Sequence, residues 1–79
     1  MENQNFRRAY SKLTEDNKMR LEDFSSAIGC GYSCKDKENI EHYSKKMRGY
    51  LMCLLDLGII TRIELSALYL YYFRLNQDR

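Results

Sequence analysis

A helix written over residues 62–76 of this 79-residue chain is apolar nearly all the way round, and that one segment limits what the rest can build. On a helical wheel Ile63, Ala67, Leu70 and Tyr71 fall on one side, Leu65, Leu68, Tyr72 and Leu75 on roughly the other, and only Glu64, Ser66 and Arg74 are polar between Ile63 and Leu75. Its start is well signalled. Thr61-Arg62-Ile63-Glu64 matches a capping box, in which the Thr hydroxyl bonds a free backbone N–H and the Glu side chain reaches back to the cap, and Ile60 with Leu65 makes a hydrophobic staple. Such a helix needs neighbours on both sides. Either it lies in the middle of a bundle, or its second face docks against something outside the chain. The expectation taken here is that the C-terminal helix is apolar on two faces. The docking face is Leu65, Leu68, Tyr69, Tyr72 and Leu75, and the partner is a second copy (a homodimer) or another protein. Tyrosine favours docking, because its ring covers area at low entropic cost while its hydroxyl tolerates a wet rim.

The remainder also reads as helix. Proline is absent and glycine occurs at four positions, so little interrupts helical phase. The pattern predicts an all-α bundle of three to four helices over about 5–13, 15–28, 35–57 and 62–76, forming a single domain from 1 to 79. Thr14 caps a restart before Glu15 and Asp16, although Phe6, Tyr10, Leu13, Leu21, Phe24 and Ile28 stay in phase, so one continuous helix through Thr14 is the alternative. Gly29 stands where a left-handed residue ends a helix, and Gly29-Cys30-Gly31-Tyr32-Ser33 reads as a loop. Ser33 or Asp36 then caps a long third helix. Its wide arc of Ile40, Tyr43, Met47, Tyr50, Leu51, Leu54, Leu55 and Leu57 predicts that it is central.

At this length only about 60% of the unfolded chain's surface is removed from water, so the core needs a supplement such as self-association. Disulfides are a poor candidate. Three cysteines are an odd number and no secretory signal pattern opens the chain, which points to a reducing, cytoplasmic setting. The longest apolar run, Tyr50 to Leu55, is far below the roughly 18 residues of a membrane span.

Catalytic and metal chemistry find little support. Cys30, Cys34, His42 and Cys53 are the thiolate and imidazole donors, but His42 and Cys53 lie on one helix about 16 Å apart, too far to share an ion. Cys30, Cys34 and His42 lack a fourth ligand, and the three-residue gap between the cysteines is not the two-residue spacing of a redox pair. No glycine-rich phosphate loop or evident acid pair is present. The chain therefore reads as non-catalytic, with no metal, no cofactor and no small-molecule substrate.

Nucleic acid is the alternative partner. Thirteen Lys and Arg against eleven Asp and Glu leave +2, too little for a wholly phosphate-tracking surface, but Arg7, Arg8 and Lys12 cluster on the first helix and Lys45, Lys46 and Arg48 on the third. Phe24, Ser25, Ile28, Gly29 and Cys30 resemble the first half of a helix-turn-helix, which would imply DNA contact by the following helix. Lys35 and Glu38 depart from that pattern where apolar residues belong. Leu13 to Leu21 resembles helix openings in small phage and mobile-element proteins of low-GC Gram-positive bacteria, which implies a small regulatory role. The overall expectation is a protein–protein interaction or regulatory module that self-associates through its C-terminal helix.

Overall fold

The computed structural model describes residues 4–77, which form four helices: α1 (Gln4–Lys12), α2 (Glu15–Ser33), α3 (Lys37–Asp56) and α4 (Arg62–Arg74). The break between α1 and α2 is real, and local capping decides it over helical phase. Thr14 takes extended backbone angles, its hydroxyl accepts from the Asn17 N–H at 3.0 Å, and the Asn17 side chain accepts from the Thr14 N–H at 3.0 Å. The Thr61 box at the start of α4 forms as its residues predict, with Glu64 in the reciprocal position.

The end of α2 differs from expectation. The helix runs through Gly29 and Gly31 to Ser33, and the turn is Cys34-Lys35-Asp36. Lys35 takes the left-handed angle (φ 55°) that the sequence suggested for glycine. Paired terminal bonds hold it there: the Asp36 N–H reaches the Gly31 carbonyl at 2.8 Å and the Lys35 N–H reaches that of Tyr32 at 3.2 Å. Asp36, not Ser33, then caps α3 by accepting from the Asn39 N–H at 3.1 Å. The end of α3 uses the same pattern with Gly58 at φ 76°, the Ile59 N–H bonding the Leu54 carbonyl at 3.0 Å.

The α2 glycines serve packing. A Cβ on Gly29 would lie 2.6 Å from Asn76 Cβ and 2.7 Å from its carbonyl oxygen, and one on Gly31 would lie 2.7 Å from Ile40 Cγ1. One turn before Gly29, buried Ser25 donates to the Tyr72 carbonyl at 2.5 Å and accepts from Asn76 Nδ2 at 3.0 Å. It thereby satisfies a carbonyl left open in the last turn of α4. Small residues at 25 and 29 thus let α2 approach the end of α4 closely. Gly49 is the contrast, being exposed on α3 with nothing within 4 Å of a Cβ. Gly49→Ala should therefore gain about 1 kcal/mol from helix propensity. Gly29→Ala should lose about 1–3 kcal/mol, because overpacking outweighs that gain. Urea midpoints should rank Gly49→Ala above the parent and Gly29→Ala below it. A parent-like Gly29→Ala would mean that the terminal turn yields freely.

The core joins Phe6, Ala9 and Leu13 to Leu21 and Ile28 of α2, Met47, Leu51 and Leu54 of α3, and Ile60, Leu68 and Tyr72. The wide apolar arc of the long third helix predicted that it is central, but α3 packs only on α2 and α4, and its last expected core residue, Leu57, is 74% exposed. The helix in contact with all three others is α4. This follows from its composition, since the element with apolar side chains on most of its circumference gains most from being surrounded. No helix among the described residues is long and apolar enough to cross a membrane.

Candidate interaction face on the last helix

Burial around α4 reverses the expected assignment of its two sides. Leu68 and Tyr72 are 0% and 1% exposed, so neither faces outward to dock anything. Leu65 and Tyr69 are half-buried at the edge, with the Tyr69 ring stacked on Phe73 at 5.7 Å between centroids. Of the five expected docking residues only Leu75, just past the helix, is exposed. The open side carries Ile63 and Leu70, 65% and 50% exposed. Seven residues apart, they lie on one face two turns from each other, with exposed Ser66 between. Since α1 and α3 both pack on α4 but not on each other, this strip is left uncovered. On its α3 side a surface groove of about 300 Å³ is lined by Arg48, Leu65, Ser66, Tyr69 and Leu70.

The staple could have revealed the orientation. A residue that fastens the incoming chain to the helix marks the buried side; Ile60 is buried, and Leu68 and Tyr72 follow its staple partner Leu65 at intervals of three and seven.

Glu64, which is 2% exposed, fixes α1 to α4. Lys12 Nζ lies 2.8 and 2.9 Å from its two carboxylate oxygens, and Oε1 also accepts the Thr61 N–H at 2.9 Å. Desolvation works to raise this carboxyl's pKa, but the Lys12 ammonium and the Thr61 N–H outweigh it and hold the group below its ordinary range. The buried acid pins the inward face of α4 and leaves the outward face without a carboxylate.

The expected basic clusters are correspondingly reduced. Lys12 belongs to this internal ion pair. Arg7 and Arg8 are exposed on α1, where Arg7 borders a hollow of about 310 Å³ formed with Phe6, Tyr10, Ser11 and Tyr71. On α3, Lys45 lies 3.6 Å from Glu41, Lys46 sits 5.7 Å above the Tyr43 ring, and Arg48 turns to the groove.

Cys30, Cys34 and Cys53 are free and exposed, and among the described residues no three His, Cys, Asp or Glu side chains converge on a metal position. Cys34, at the end of α2, has its thiol pKa pushed up by its hydrogen bond to Cys30 and by charge interaction with it, and less by desolvation and Asp36. A thiol held protonated is a weak nucleophile and a weak metal ligand.

The fold and face define a small all-α bundle with an uncovered apolar strip on its central helix. No family model matches the chain, and no curated protein or solved structure is significantly similar to it.

Proposed function

We propose that this chain is a small non-catalytic interaction module that docks a protein partner through the outer face of α4, centred on Ile63 and Leu70. The supporting observation is the exposure of these two large aliphatic side chains, 65% and 50%, two turns apart on the helix that packs against all three others. Single exposed leucines are ordinary, whereas a strip continuous with a groove of about 300 Å³ fits an interface. The half-buried Tyr69 and Leu65 at its edge suit a contact that is apolar in the middle and wetter at the rim. The regulatory role rests on this contact.

The test substitutes the strip itself. Leu70→Glu and Ile63→Glu place charge on exposed positions, so both variants should keep the parent's helical content and urea midpoint within about 0.5 kcal/mol. Both should abolish co-purification of the partner, or reduce the solution mass if the partner is a second copy. Parent-like association in both variants would exclude this face.

A further inference from the structure

The charges around the strip select among partners. Arg48 lines the groove, while Arg62 and Arg74 stand exposed at the two ends of α4. At 1.5 Å per residue they are about 18 Å apart along the helix, a little over three turns. Among the described residues none of the three arginines has an ion pair. The one carboxylate in α4, Glu64, is buried against Lys12, and on α3 Glu41 is held by Lys45. The uncovered face is therefore aliphatic along its middle and cationic at its side and ends.

Resting on the reading of this face as a protein-docking surface, we propose that its occupant is an acidic amphipathic helix of another protein and not a second copy of this chain. A two-fold dimer lays the same patch against itself, so it would bring Arg48, Arg62 and Arg74 towards the same three arginines with no exposed carboxylate on α4 to offset them. Like charges brought together across an interface select against that pairing. A helix with Leu or Met at intervals of three and four would fill the groove beside Leu70, and Glu or Asp on its flanks would meet the arginines in two-pronged hydrogen bonds. Duplex or single-stranded nucleic acid would satisfy the arginines but leave Ile63 and Leu70 without apolar contact.

The test uses a synthetic, fluorescently labelled helix of roughly 18 residues, long enough to form in isolation, with leucine on one face and glutamate on its flanks. A control peptide carries lysine in place of glutamate. The acidic peptide should bind the parent saturably and the lysine peptide should not. Arg48→Glu, and independently Arg62→Glu, should weaken the acidic peptide about tenfold, a loss of about 1.4 kcal/mol. Amide resonance shifts should concentrate at Ile63, Ser66 and Leu70. Absence of saturable binding up to millimolar peptide overturns the proposal. So does a salt-resistant dimer of the parent that Leu70→Glu dissolves, although the docking face would then stand with a different occupant. Acidic-peptide binding that Leu70→Glu leaves unchanged, or displacement of the peptide by an oligonucleotide, would remove both the occupant and the face.

Discussion

Leu68→Glu should leave no cooperatively folded protein at neutral pH, while Leu70→Glu, two positions along the same helix, should fold as the parent does. Leu68 is fully enclosed in the middle of α4, the helix that packs on all three others. Removing its side chain costs about 2–5 kcal/mol, and an unpaired carboxylate in its place adds several more unless it takes up a proton. A small domain has roughly 5 kcal/mol in total, so the sum exceeds what holds this chain together. Leu70 is half exposed and its replacement leaves no cavity. Circular dichroism and urea unfolding of the two variants separate these outcomes. A Leu68→Glu variant with the parent's midpoint would mean that the inward face of α4 is misassigned.

The second large effect is expected at Lys12→Met, which removes the cation but keeps the aliphatic stem. It should cost about 2–3 kcal/mol at neutral pH. Breaking a fully buried pair costs about 3–5 kcal/mol, and the discount applies because the Lys12 side chain is itself 38% exposed. The loss comes mainly from Glu64, whose carboxylate stays enclosed with the Thr61 cap to compensate it in place of a cation. The pH dependence should change sign. In the parent the folded-state pKa of Glu64 is lowered, so its stabilisation is present above the unfolded value near 4.3 and is lost as pH falls through the folded one. In Lys12→Met desolvation dominates and the folded-state pKa rises above the unfolded one. The variant then recovers stability as pH falls below that raised value. Urea midpoints from neutral to about pH 3 measure this directly. Two parallel curves would show that the ion pair contributes little.

Most of the helical architecture was legible in the residues. Thr61 and Glu64 set the start of α4, Thr14 set the start of α2, and both caps form because their partners lie three residues away in the same segment. Gly29 misled because glycine has two uses. A chain can need the left-handed angles it permits or the space a missing Cβ leaves, and the second depends on Asn76 and Ile40, which lie far along the sequence or across a turn. Lys12 misled similarly: beside Arg7 and Arg8 it reads as one of a surface group, but its partner Glu64 is 52 residues away.

The side of α4 that the residues suggested for docking is the side the fold buries at Leu68 and Tyr72, and Ile63 and Leu70 are left open. A helix apolar on two faces gives its wheel no preferred direction, so whether Leu68 or Leu70 turned inward depended on elements outside α4. Local sequence determined the helices, their caps and the need for α4 to be surrounded, because those are set by contacts within about four residues. Tertiary structure alone decided which strip remains uncovered and which cations surround it. That choice was made by the burial of Glu64 against Lys12 and the close approach of Ser25 and Gly29 to Tyr72 and Asn76, contacts 47 to 52 residues apart.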